Sequence, residues 1–218
     1  MMEKYYWQKK LAKITDRLKK RGEFKRPSSN IDGELEFNIV NGFYIIRKLI
    51  ENNKLTNKFI STNIKGFRYP FIDQKKLTPF NNHKWTEFYD LQNKQKAKFD
   101  IQFLCNLFVH SFYFIPCEIF VNEQINDLEH MDDSKFHELC KIYKRKYQQI
   151  LFNSDDKKLE FLYEIDIDKI IEVFETVSLM DITKMSITYN VRTNKYDYKL
   201  EMPDEGEPTN KKLPKLDY

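Results

Sequence analysis

The chain has 218 residues, long enough to bury a sizeable core, and its 15% aromatics and only 5 glycines exclude a chain disordered throughout. Those scattered glycines also exclude the phosphate-cradling loops GxxxxGK and GxGxxG. Net charge is +4 but unevenly spread: residues 1–30 and 54–98 each hold ten Lys/Arg against three acids, while residues 118–181 hold sixteen acids against eight bases. A basic half of this kind suits phosphate, an acidic protein partner, or simply a solvated face.

In chain order, residues 3–21 predict a basic amphipathic helix, because Trp7, Leu11, Ile14 and Leu18 recur at i, i+4, i+7 and i+11. Gly22 is its predicted stop, and residues 22–33 read as a linker. A second helix is expected over 34–52, where Phe37, Val40, Phe43, Tyr44, Ile46, Leu49 and Ile50 cover most of the circumference. Residues 53–85 read as irregular, basic and Pro-punctuated. A third helix is expected over 85–114, ending before Pro116, with "CEIFV" as a short strand after it. "DDSKFHELCKIYKRKY" reads as helical.

The final third changes period. "QQILFNS" and "LEFLYEID" flank "DDKK" as a β-hairpin, "DKIIEVFETVS" is a short helix that Asp166 or Asp168 can cap, and "KMSITYNV" and "KYDYKLEM" form a second hairpin. The predicted fold class is α+β: an N-terminal helical layer, then two hairpins and a short helix. One domain is expected over 1–202, with 203–218 a disordered tail.

Cys105, Cys117 and Cys140 are odd in number and scattered, which suits reduced thiols. The first residues carry charges throughout and no apolar run, so no signal peptide is expected. The longest charge-free run, Ile101–Cys117, is seventeen residues with Gln, Asn, His, Ser and Pro inside. A membrane span needs about 20 apolar residues. The expectation is a soluble cytoplasmic protein.

The chemistry concentrates in "LCNLFVHSFYF". On a helix Gln102, Asn106 and His110 would form one polar, uncharged stripe on an otherwise apolar surface. It can be a wet edge, a buried hydrogen-bond network or a functional site, and His110 is the side chain best suited to move protons near neutral pH. Arg47, on the second helix, can complete such a site with a phosphate, or simply pair with Glu51 four residues on.

"CNLFVH" resembles the RNxxxH motif of the HEPN superfamily, whose members are helical bundles and often metal-independent ribonucleases or their inactive relatives. The resemblance implies catalytic His110 and Asn106, commonly across a homodimer, with RNA as substrate, and Arg47 is the candidate cation to complete that catalytic set. Cys105 stands where that motif has its arginine, so Arg47 or a loop residue would have to replace it. The wider pattern of "IIRKLIE", "CNxxxHS" and "SDD…LYEIDIDKIIEVF" looks like uncharacterised small bacterial proteins of mobile elements.

A second candidate is the loop "NIKGFRYPFIDQKK", in which Lys65, Arg68, Lys75 and Lys76 could meet phosphates while Phe67 or Tyr69 stacks on bases. The same aromatics could equally anchor a plain surface loop. An acidic protein docked on the basic half is the alternative partner. No metal or cofactor is expected: Cys117, His130, His137 and Cys140 lack a second close pair, and capping accounts for two of Glu164, Asp166 and Asp168.

Overall fold

The structure is a computed structural model that describes residues 3–73, 76–122, 133–181, 184–190, 192–193 and 195–201. Helix α1 (Lys4–Lys19) buries Leu11, Ile14 and Leu18, the expected apolar stripe, with Trp7 partly buried beside them. Helix α2 (Ser29–Glu51) starts earlier than its apolar pattern suggests, because Ser28 is an N-cap whose hydroxyl accepts from the Ile31 N–H at 3.3 Å. It ends in a Schellman turn. Asn53 takes φ 52°, its N–H bonds Ile50 O at 2.9 Å, and Lys54 N–H reaches back to Leu49 O at 2.8 Å.

The segment expected to be irregular contains a helical turn, α3 (Asn57–Ile60), and strand β1 (Asn63–Pro70). The third long helix over 85–114 is not formed. In its place are a 3-10 turn (Asn82–Glu87), strand β2 (Gln95–Asp100), helix α4 (Ile101–Val109) and strand β3 (Ser111–Phe120). Two local features divide that run. The Asp100 carboxylate caps α4 by accepting from Phe103 N–H at 2.7 Å, and His110 ends it as C-cap. Beyond His110 the aromatic and β-branched residues Phe112 to Ile115 extend as strand instead.

Helix α5 (Asp133–Ile142) follows, then β4 (Arg145–Ser154), β5 (Phe161–Asp166) and α6 (Ile167–Leu179). Strands β4 and β5 pair as the first expected hairpin, and β6 (Lys184–Asn190) with β7 (Lys195–Glu201) as the second. Asp166 occupies the N-cap of α6 but makes no side-chain cap bond. The tail over 203–218 lies outside the described residues.

The α+β architecture is a five-stranded antiparallel sheet in the order β2-β1-β5-β4-β3, with helices stacked on one face. Helices α4 and α6 lie on the sheet, and α1 and α2 pack on them. Rings tie the tiers together. Phe43 of α2 stacks on Phe108 of α4 at 4.5 Å, and Phe108 stacks on Phe152 of β4 at 4.3 Å. Close approach is permitted by two glycines. A Cβ at Gly42 would fall 2.1 Å from the Phe174 ring, and one at Gly66 would fall 2.4 Å from the Glu164 carbonyl oxygen.

The opposite face of the sheet carries a smaller core of Tyr69, Phe88, Tyr89, Tyr113, Leu151 and Leu162, covered by the chain around the 3-10 turn. Buried Asn153 organises it by donating to the Tyr89 hydroxyl at 2.8 Å and accepting from Tyr113 N–H at 3.2 Å. The proline in β3 sits on an edge strand, the place in a sheet that tolerates a residue without an N–H.

Helix α1 is held to α6 by more than its stripe. Gln8 Nε2 donates to Val177 O at 2.9 Å and Met180 O at 2.7 Å, satisfying carbonyls at the end of α6. Substituting Leu11→Asp should cost at least the ~2–5 kcal/mol of deleting a buried leucine, a fall of roughly 5–20 °C at this chain length. Thermal melting followed by circular dichroism measures it; an unchanged melting temperature would mean that α1 is not part of the cooperative core.

Candidate functional site

Two clusters deserve the name of site, one where α2 meets α4 and one on the sheet. In the first, the packing of α2 on α4 brings Arg47 and His110 together, with Arg47 Nη1 3.1 Å from His110 Nε2. A guanidinium only donates, so a hydrogen bond here has Nε2 as its acceptor. Arg47 Nε also donates to Glu51 Oε1 at 3.0 Å, and Lys48 Nζ to Glu51 Oε2 at 2.7 Å. Hydrogen bonds from Lys48 and then Arg47 hold the Glu51 carboxyl below the usual carboxylate range. Arg47 thus makes the expected pair with Glu51 while also touching His110.

Asn106 does not join that contact. It is exposed, and its Oδ1 accepts from Gln102 Nε2 at 3.4 Å, along the helix. His110 is exposed as well, so the polar stripe of α4 faces solvent and Arg47 closes one end of it. Cys105, next to Asn106, points the other way and is fully buried, which pushes its thiol up to about 12.

The second cluster follows from strand parity. Lys65, Phe67 and Tyr69 alternate along β1 onto the face away from the helices, because Tyr69 belongs to the smaller core there. Across the ladder Lys65 pairs with Lys98 and Phe67 with Lys96, so those lysines share the face. Lys65, Lys96 and Lys98 are all exposed, and among the described residues none of the three forms an ion pair. Lys94 stands at the edge of this patch, its ammonium 4.1 Å from the centre of the Phe67 ring and 2.8 Å from Glu164 Oε1. Glu164 is buried, and its other oxygen accepts from the Tyr69 hydroxyl. Lys169 borders the patch from α6, donating to Lys65 O at 3.0 Å and pairing with Asp166 at 2.8 Å.

Of the residues expected to meet nucleic acid, Lys65 lies in this patch and Lys76 is exposed, while Lys75 lies outside the described residues. Arg68 and Tyr69 are engaged elsewhere. Arg68 falls on the helix-side face, with its guanidinium 4.2 Å over the Phe161 ring and its Nε donating to Gln95 Oε1 at 3.1 Å. Tyr69 is buried with its hydroxyl on Glu164, so its ring is not free to stack on a base; burial first, then that bond, raises its phenol. Sequence reasoning missed Lys94, Lys96 and Lys98. Their signal is the period of two in "KQKAKFD", which a helical reading of the segment conceals.

Among the described residues no three His, Cys, Asp or Glu side chains converge as a metal site, and no helix is long and apolar enough to cross a membrane. No protein-family model, curated protein or solved structure matches the chain.

The two clusters differ in what they do for the fold, and substitution separates them. His110→Ala should leave stability within about 0.5 kcal/mol, since an exposed side chain is removed. Glu164→Leu should cost about 1–3 kcal/mol, because the buried Tyr69 hydroxyl loses its acceptor. Urea denaturation of the two variants checks both; equal losses would place His110 in the structural framework.

Proposed function

We propose that the protein binds nucleic acid through the open face of β1 and β2. The observation that supports this most directly is the cross-strand pair Lys65–Lys98, with Lys96 beside it and no acid of the described residues paired to any of them. Like charges placed opposite each other on a sheet cost stability, and a polyanion repays that cost by releasing counterions as each phosphate is neutralised. Edge-strand lysines also stop a sheet from pairing with another chain, which accounts for Lys96 and Lys98 on the edge strand β2. It does not account for Lys65, which lies on an interior strand.

The other basic region supports a partner less well. Lys19 of α1 pairs with Glu175 of α6 at 2.6 Å, and Arg21 pairs with Asp168. Part of the basic N-terminal segment thus meets acids of its own chain.

A second reading is favoured by the 3.1 Å contact of Arg47 and His110. Together with the likeness of "CNLFVH" to the HEPN motif, it supports RNA cleavage without metal. His110 would move the proton of a ribose 2′-OH or of the leaving oxygen, and Arg47 would offset charge on the phosphate. Asn106, bonded to Gln102, is left to orient a substrate group from the solvent side.

Binding is tested by titrating a labelled oligonucleotide at low and moderate salt, with Lys65→Ala/Lys96→Ala/Lys98→Ala protein alongside. Affinity should fall with a log–log salt slope of roughly 0.7 per phosphate contacted on a single strand, and the triple variant should flatten that slope by about two. No binding at low salt, or identical binding by the two proteins, defeats the reading. Cleavage is tested on RNA without added metal. His110→Ala should fold normally and lose about 10²–10⁴-fold in rate, whereas a wild-type protein that cleaves nothing rules out the second reading.

A further inference from the structure

Resting on the nucleic-acid reading above, we propose that the β1–β2 face takes a single strand rather than a duplex, with Phe67 as the platform for one base. Phe67 is a half-buried ring on the same face as Lys65, Lys96 and Lys98, directly opposite Lys96 and two residues along β1 from Lys65. That two-residue step is about 6.6–6.8 Å, close to one nucleotide step of an extended strand. A phosphate bridged by Lys65 and Lys98 therefore leaves the adjoining base over the ring.

A duplex keeps its bases stacked inside and offers this ring nothing, whereas an unpaired base presents a π-face that any aromatic side chain can hold. One face of the ring already meets a cation, the Lys94 ammonium, 4.1 Å from its centre. An incoming base takes that place, and Lys94 keeps its bond to Glu164, 2.8 Å away. Arg68 and Tyr69 cannot supply the platform or its charge from where they lie, on the opposite face and in the smaller core. RNA and DNA single strands share this chemistry, so both serve as probes.

The test uses the full chain and labelled oligomers of about ten nucleotides, poly-U RNA and poly-dT, against a blunt duplex of equal length. Both single strands should bind more tightly than the duplex. Phe67→Leu should weaken single-strand binding by about 5- to 100-fold with an unchanged salt slope, while Phe67→Tyr retains it. In the wild-type protein, 2-aminopurine placed in the oligomer should be further quenched on binding, a readout that does not depend on any variant folding. Equal affinity for duplex and single strand, or unaltered 2-aminopurine emission, overturns the proposal. If the lysine variants still lose affinity in that case, the broader nucleic-acid reading stands. Should poly-glutamate bind as tightly as the oligomers, with Phe67→Leu indifferent to both, the ligand is an acidic peptide and the proposal falls.

Discussion

The stack of Phe43, Phe108 and Phe152 runs through all three tiers of the molecule, from the outer helices through α4 to the sheet. All three rings are fully buried. Each is worth roughly 1.5–3 kcal/mol of burial, and each ring pair about 0.5–1.5 kcal/mol beyond that. Position matters more than energy here. Arg47 lies one helical turn beyond Phe43, and His110 lies two residues beyond Phe108. Once the rings are stacked, the register of α2 against α4 is fixed and the guanidinium meets the imidazole. The edge of Phe174 enters the same cluster over Gly42, so α6 is set by the same contact. A larger residue at Gly42 would meet the Phe174 ring and push α2 and α6 apart.

The sheet divides its labour by parity. Residues of one parity in β4 and β5, such as Phe152, Tyr163 and Ile165, feed the main core; those of the other, such as Leu151 and Leu162, feed the smaller one. Glu164 stands where the smaller core gives way to open surface. Its two oxygens are both satisfied, one by Tyr69 and one by Lys94, so a buried carboxylate is tolerated there. Surface pairs such as Lys19–Glu175, nearly half exposed on both sides, add little by comparison. Helix α1 is therefore oriented by its apolar stripe and by Gln8, with charge as a minor contribution.

What could be read without the structure depended on whether period alone was decisive. Leu11, Ile14 and Leu18 repeat at helical spacing against a charged background, and α1 forms as expected. The hairpins were equally legible, because their turns punctuate short alternating runs. Residues 101–115 carry no Lys, Arg, Asp or Glu and are mostly apolar, and such a run suits helix and strand alike. The decision rested on single side chains, Asp100 at one end of α4 and His110 at the other, whose caps take effect only when the backbone turns there. The same misassignment hid Lys96 and Lys98, since lysines two apart share a face in a strand and not in a helix. Arg47 and His110 each stood out in the sequence as a polar side chain bordered by apolar residues, and the structure brings the two into contact.

Gln8 bonds carbonyls of Val177 and Met180 across 169 and 172 residues of sequence. During synthesis α1 leaves the ribosome long before α6 exists. At about 5–20 residues per second the gap is on the order of ten to thirty seconds. Throughout that interval the apolar stripe of Leu11, Ile14 and Leu18 lacks the α6 surface it packs against in the fold. Helix α1 is thus among the last pieces of the core to find its place, and the arrival of α6, rather than its own early emergence, times that closure.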